Sequence, residues 1–396
     1  MPTPTRFQVD LDALHANLAT ARELAGGRQV LAAVKANAYG HGLVPVARSI
    51  QERGSAEWLG IAVTDEGAQL RAAGVTLPIL KFTPTLPDDL PEAIDAGITL
   101  SVGDENAILA ARATAAEAGR VVDVHLTVDT GMRRVGADPA DVERLARLLA
   151  ESPSLRVGGI FTHFPVSDVA AGEEFTRAQL ARFDEAVAAA ESVLGPIELV
   201  HAANSGAVLG HDLGRTNMVR PGIMIYGSYP DPATVPTRPL RDVGRWTSRV
   251  TFLKRIRAGE TVGYGRTWAA PADTWIATVA VGYGDGYSRL NSSRAEAPAP
   301  PEVSSTAAPR DGTPRRGGRM LIDGRSYPVV GRVCMDQTML DLGPEPPSVS
   351  VGDEVVLMGT SGTERIGVEE LAALMGTITY EVTCLITDRV PRDYAP

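Results

Sequence analysis

The chain has 396 residues, and at roughly 150 residues per domain this gives two or three units, or one large barrel with a smaller companion. Lys and Arg number 38 against 48 Asp and Glu, a net charge of −10 that leaves no basic footprint for nucleic acid. With 44% hydrophobic and 22% charged residues it has a globular composition. No apolar run approaches the roughly 18 residues of a spanning helix, the segment Met1-Pro-Thr-Pro-Thr-Arg-Phe7 carries no apolar leader, and Cys334 and Cys384 do not make a disulfide framework; together these predict a cytoplasmic protein with no membrane partner.

Apolar segments of strand length recur at Gln29–Val34, Leu59–Val63, Pro78–Phe82, Ile98–Val102, Val121–Val128, Val157–Thr162, Ile197–Ala202 and Thr216–Val219. Between most of them lie helix-like stretches with apolar residues at three- and four-residue intervals: Pro45–Arg53, Glu66–Ala73, Asn106–Ala118, Ala140–Ala150 and Phe175–Val193. Eight strand–helix alternations predict an α/β fold, a (β/α)₈ TIM barrel, over residues 9–238. From about Pro239 the period changes to two. Trp246–Ile256, Thr274–Gly282, Arg319–Val333 and Glu354–Met358 read as strands, with Asp323-Gly324 as a two-residue hairpin signal. A C-terminal mostly-β domain over 239–396 is expected, with residues 1–8 a candidate addition to it, and only Gly367–Met375 reads as helical there. Asn291–Gly318, rich in Ala, Pro, Ser and Arg and without apolar period, reads as a flexible surface insertion.

Barrel enzymes carry their reactive groups on the loops that follow the strands. Here those points hold Lys35 in Ala33-Val-Lys-Ala-Asn-Ala-Tyr-Gly-His-Gly42, Arg134 in Asp129-Thr-Gly-Met-Arg-Arg-Val-Gly136, His163, Asn204 and Ser205 in His201-Ala-Ala-Asn-Ser-Gly206, and Arg220 in Arg220-Pro-Gly-Ile223. A lysine among small residues at a barrel mouth suits covalent chemistry with an aldehyde, although a lone lysine is more often a solvated surface group. The Ser205 hydroxyl and the amides near Gly222 and Ile223 follow the seventh and eighth strands, where barrels commonly bind phosphate; each taken alone is as well read as a helix cap or a turn residue. An aldehyde-bearing phosphate, pyridoxal 5′-phosphate, satisfies both observations. No metal is expected.

The run Ala33–Gly42, with Thr162-His-Phe164, Ala203-Asn-Ser205, Arg220-Pro-Gly-Ile223, Gly263-Tyr-Gly-Arg266 and Gly331-Arg-Val-Cys-Met-Asp336, resembles the alanine racemase family, in the family's order and over nearly the whole chain. The resemblance implies pyridoxal phosphate held as an internal aldimine on Lys35, with phosphate contacts from Tyr39, Ser205, Gly222 and Ile223. Asn204 joins the cofactor residues, and His163 links Arg220 to the catalytic tyrosine. Arg220 would face the pyridine nitrogen; a guanidinium can only donate, so the nitrogen stays unprotonated and racemisation is favoured over transamination. The two bases implied are Lys35 and Tyr264, the tyrosine reaching the site from the other subunit of a homodimer with shared active sites. Arg134, Met335 and Asp336 would meet the small amino-acid substrate. The implied activity interconverts L- and D-alanine and supplies D-alanine for cell-wall peptidoglycan.

Two positions depart from the family pattern. Thr127 stands where many members carry a carbamylated lysine beside the arginine corresponding to Arg134, and Asp388 stands where many have a phosphate-contacting tyrosine. A racemase preferring serine, or one of broad specificity, is therefore the nearest alternative. A non-catalytic pyridoxal-phosphate barrel is the more distant one, since such carriers lack the β-domain.

Overall fold

The computed structural model describes residues 3–231, 234, 238–293 and 317–395. The described residues form two compact units: one runs from Leu11 to Val243, the other combines the segment ending at Asp10 with Gly244–Ala395. The expected insertion at 291–318 lies outside the described residues apart from its ends, 291–293 and 317–318.

Strand β1 (Arg6–Asp10) belongs to the second unit, and the first unit opens with helix α1 (Leu11–Ala25). Then β2 (Gln29–Ala33), α2 (Leu43–Arg53), β3 (Trp58–Ile61), α3 (Thr64–Ala72), β4 (Ile79–Lys81), α4 (Leu90–Asp95), β5 (Leu100–Val102) and α5 (Glu105–Glu117) alternate. They continue as β6 (Val122–Thr127), α6 (Val142–Ala150), β7 (Leu155–Phe161), α7 (Glu173–Leu194), β8 (Leu199–His201), α8 (Ser205–Gly210) and β9 (Met218–Val219). The eight strands β2 to β9 pair in parallel in the order β4-β3-β2-β9-β8-β7-β6-β5. The ends of that sheet meet through a parallel bridge between Leu80 and Thr99, so the sheet closes into a barrel. Parallel strands covered on both faces read as continuous apolar runs, which is why all eight were visible in the sequence. Leu31, Leu80, Leu199 and Met218 form one core cluster, with Trp58 and Phe82 packed against it. Full burial of such side chains contributes about 1.5–3 kcal/mol each.

The second unit is built on the long strand β10 (Gly244–Ile256), which pairs with β1. It continues with β11 (Thr261–Val262), β12 (Trp268–Ala269), β13 (Thr274–Val279), β14 (Arg319–Ile322) and β15 (Arg325–Pro328). After these come β16 (Thr338–Gly343), β17 (Glu354–Ser361), β18 (Glu364–Ile366), α9 (Val368–Met375), α10 (Thr379–Cys384) and β19 (Arg392–Ala395). The Asp323-Gly324 hairpin forms between β14 and β15, with both residues at positive φ (+48° and +72°), as a two-residue turn of this type requires. Two expectations are corrected here. The third predicted strand ends at Pro328 rather than Val333, and α10 is a second helix beyond Gly367–Met375. Its sequence, Thr379-Tyr-Glu-Val-Thr-Cys384, is rich in β-branched residues and reads as strand, but Thr379, Val382 and Thr383 are buried on the helix, so packing overrides propensity.

Candidate active site

The carboxyl end of β2 delivers Lys35 into an unusual backbone. Ala36, Asn37, Ala38 and Tyr39 all have left-handed torsions (φ +53°, +55°, +53° and +52°), followed by Gly40 at +84°. A left-handed turn of four non-glycine residues costs about 4–8 kcal/mol at roughly 1–2 kcal/mol each, and strain of this kind persists only where the surroundings enforce it. The enforcement is visible in the hydrogen bonds. The amide of Ala38 donates to Val34 O (2.7 Å), Gly40 to Ala36 O (2.9 Å) and Gly42 to Asn37 O (2.8 Å). The Asn37 side chain accepts from Leu43 N (2.7 Å), and Glu66 Oε1 accepts from Ala36 N (2.6 Å). Tyr39 is buried against Tyr226, with ring centroids 4.9 Å apart. Its hydroxyl lies so near Gly222 that a Cβ there would sit 2.4 Å away, which requires glycine at 222.

Arg220, at the end of β9, is a buried cation with no carboxylate partner among the described residues. Burial pushes it down to about 9, so it remains charged at neutral pH. It donates to Thr162 O (2.7 Å), Ala202 O (3.0 Å) and His201 Nδ1 (2.9 Å), and lies 3.4 Å from His163 Nδ1. Because arginine only donates, His201 Nδ1 must accept, so His201 Nε2 carries the proton and donates to His125 Nδ1 (3.0 Å). His125 then carries its proton on Nε2, which is buried with no hydrogen-bond partner. The His125 ring fills space in front of Gly159, where an added Cβ would lie 2.7 Å from it.

His163 is pushed down to about 3, first by burial and then by the charges of Arg220, Arg134 and Lys35. The charges of these three cations, predicted from separate loops, all act on one imidazole, and Arg220 alone is within 3.4 Å of it. Arg134 is exposed and makes no side-chain hydrogen bond or ion pair among the described residues, and its loop is shaped by Asp129 Oδ1, which accepts from Gly131 N (2.9 Å) and Arg133 N (3.0 Å). Gln179 on α7 ties this loop to the next: its Nε2 donates to Thr130 Oγ1 (3.2 Å) and to His163 O (3.3 Å). Beside Arg220, Ser205 Oγ accepts from Gly222 N (2.9 Å) and Met224 N (3.3 Å), leaving its own proton to donate elsewhere. Asn204 caps α8 through Ala207 N (3.1 Å), accepts from Ser167 Oγ (2.7 Å) and donates to Phe164 O (3.0 Å), so its carboxamide is committed to shaping the loop.

The remaining predicted residues lie on the β-domain. Tyr264 is 70% exposed on the 3₁₀ turn Tyr264–Arg266, and Met335 is 52% exposed. Asp336 accepts from Arg389 (2.8 Å), which also pairs with buried Asp285 (3.4 Å). Gly265 packs against the Arg332 guanidinium, so the loops carrying Tyr264 and Met335 are neighbours. Sequence reasoning assigned no role to Glu66, His125, His201 or Gln179. The pair Gly158-Gly159 opposite a histidine in an apolar strand was the one available signal for His125.

A barrel with a lysine on its first strand's loop, a donor-only buried arginine on its last, and a separate β-domain defines a two-domain barrel enzyme class that matches known proteins throughout. Residues 9–230 match the family described as alanine racemase, N-terminal domain, and 243–394 match alanine racemase, C-terminal domain. The alanine racemase of Cutibacterium acnes is 46% identical over 391 residues, covering 99% of this chain and 98% of that one. Among solved structures, the alanine racemase of D-cycloserine-producing Streptomyces lavendulae has a TM-score of 0.88 at 34% identity, covering 100% of this chain and 98% of its own. That of Bacillus anthracis with bound L-Ala-P has 0.88 at 31%, covering 100% and 96%. The chain belongs to the alanine racemase family.

Proposed function

We propose that this protein interconverts L- and D-alanine with pyridoxal 5′-phosphate at the barrel mouth, in a homodimer whose sites are shared, and that its D-alanine goes to cell-wall peptidoglycan. The observation that carries the reading is the buried donor Arg220, 3.4 Å from His163 and two residues before Gly222, whose amide donates to Ser205 Oγ, with the charges of Lys35 and Arg134 also acting on His163. The residues fit an anionic aldehyde cofactor: a lysine for the aldehyde, a hydroxyl with a proton to give, and an Ile223 amide with no acceptor among the described residues. When bound, the cofactor withdraws electrons from the amino acid and makes its α-proton removable.

Each step for the chain's own groups follows from what they can donate or accept. Ser205, Tyr39 and the Ile223 amide would hold the phosphate, with Gly222, whose own amide donates to Ser205 Oγ, leaving room for it. Arg220, a donor that stays charged at neutral pH, would hold an unprotonated acceptor nitrogen of such a cofactor, an environment that favours racemisation over transamination. Lys35 Nζ takes or returns the α-proton on one face of the substrate carbon, and Tyr264 of the partner subunit does so on the other. Arg134, with a free guanidinium, orients the substrate carboxylate, and Met335 and Asp336 line its approach. Asn204 acts by holding the loop before Ser205. With no helix among the described residues long and apolar enough to cross a membrane, and with neither cysteine in a disulfide, a cytoplasmic setting fits. Circular dichroism of L-alanine and L-serine incubated with the cofactor-loaded protein tests the reading. Racemisation of alanine is expected to exceed that of serine, and a serine preference would reassign the substrate.

A further inference from the structure

Glu66 is a buried carboxylate on α3 with no cation against it among the described residues. It meets three backbone amides instead. Its Oε2 accepts from Ala62 N (2.8 Å) and Val63 N (3.2 Å), which lie just before α3. That is the work of an acidic residue at the third position of a helix, which reaches back to satisfy the amide of the capping residue. Capping accounts for one oxygen only. The other, Oε1, crosses to the loop after the neighbouring barrel strand and accepts from Ala36 N at 2.6 Å.

The amide it holds is the peptide that joins Lys35 to Ala36, where the left-handed turn begins. Upstream the chain is fixed by Ala33 N to Pro221 O (3.1 Å) and Val34 N to Gly60 O (2.8 Å). Downstream it is fixed by the bonds inside the turn. The Lys35–Ala36 peptide plane sets the direction in which the Lys35 side chain leaves the backbone, and Glu66 supplies the side-chain acceptor for that plane. A charged acceptor strengthens such a bond roughly twofold over a neutral one.

We propose that Glu66 is a positioning residue for Lys35, its Oε1 aiming the lysine while Oε2 caps α3. The proposal rests on the two-base reading above. Glu66→Asp separates the two jobs. An aspartate at this position still caps the helix, but one methylene less cannot also reach Ala36. Glu66→Gln keeps the length and sets an NH₂ against one of the two groups of amides.

In the cofactor-loaded dimer, both variants should lower kcat about 10- to 100-fold with KM changed less than about threefold, as expected when a base is misplaced while substrate binding is left intact. The α-deuterium isotope effect should rise for one enantiomer only, the one whose proton Lys35 removes, and fall or stay unchanged for the other, whose proton Tyr264 removes. Hydrogen exchange at the Ala36 amide should be protected in the native protein and at least about tenfold faster in Glu66→Asp, while amides within α3 keep their protection. Equal rises in both isotope effects, or a kcat loss that follows the melting temperature alone, would overturn the proposal. So would an Ala36 amide that exchanges at the same rate in both proteins, a measurement that requires no turnover. A native protein that shows the protected amide but racemises no alanine would instead overturn the functional reading and leave the Glu66 tie standing.

Discussion

The two residues assigned as bases both sit on turns with left-handed torsions, yet the turns are built in opposite ways. After Lys35 the left-handed residues are Ala, Asn, Ala and Tyr, tied down by backbone bonds, Glu66 and the Tyr226 ring. Around Tyr264 two of the three positive-φ positions are Gly263 and Gly265, which adopt them without steric cost, and only Arg266 (φ +51°) is strained. The backbone that carries Lys35 is held by bonds within its own unit. Tyr264 is left 70% exposed, its phenol fixed by nothing comparable. On the proposed shared-site reading, one base is placed by folding and the other by association.

The strongest test of that contrast is complementation. Lys35→Ala and Tyr264→Phe should each lose at least about 10³-fold in activity, since removing a positioned acid–base group typically costs 10²–10⁴. Mixed under conditions that exchange subunits, the two inactive proteins should recover about a quarter of native activity, because about half the dimers are mixed and each has one intact site of two. Mass spectrometry of labelled subunits verifies exchange; no recovery after verified exchange breaks the comparison.

A smaller effect probes the buried side alone. Arg220→Glu places an acceptor where only donors stood, so racemisation should fall about 10²-fold while the ratio of pyruvate formed to alanine racemised rises. An unchanged ratio would remove Arg220 from the ring nitrogen.

The six histidines all lie between residues 15 and 211, none in the β-domain segments. His125 and His163 are held neutral, pushed by burial from 6.5 to about 3, and His201 lies well below 6.5 for the same reason. With folded values depressed, the unfolded chain binds more protons as pH falls below 6.5. The barrel therefore keeps its full stability above that pH and loses it toward 3, at up to about 1.4 kcal/mol per pH unit for each histidine. Hydrogen exchange at pH 5 against pH 7 should show protection falling in the barrel before the β-domain; uniform loss across both units would contradict this.

The smallest expected effects compare the turns directly. Ala36→Gly and Arg266→Gly each relieve one left-handed residue and loosen the unfolded chain, so each should leave stability within about 1 kcal/mol of native. Only Ala36→Gly should lower kcat, severalfold, because only that turn aims a base by its backbone. Calorimetry and steady-state kinetics on the pair check this.

The barrel was legible because strands covered on both faces leave long apolar runs, and the candidate residues on its loops were picked out because a barrel's reactive groups follow its strand ends, whereas Tyr264, Met335 and Asp336 came only with the family resemblance. The left-handed turn was not. Lys35-Ala-Asn-Ala-Tyr39 has the composition of a short right-handed helix, and only Gly40 and Gly42 hinted at anything else. Glu66 looked like an ordinary residue of a helix's first turn, since no spacing reveals that its second oxygen reaches a segment 30 residues earlier. The two-residue strands β11 and β12 are too short to show an alternation, and β1 takes its identity from β10 and β19 and β19 from β1, partners far away in the sequence.

That last pairing has a consequence for synthesis. β1 lies between β10 and β19 in the sheet, so the first strand translated is completed by nearly the last. At 5–20 residues per second the chain takes about 20 to 80 s to emerge, and for most of that time Arg6–Asp10 has neither neighbour. The barrel, translated in between, can fold while its forerunner waits. A fragment starting at Gly244 would leave the facing edges of β10 and β19 open, and it should aggregate unless a peptide bearing residues 6–10 is supplied.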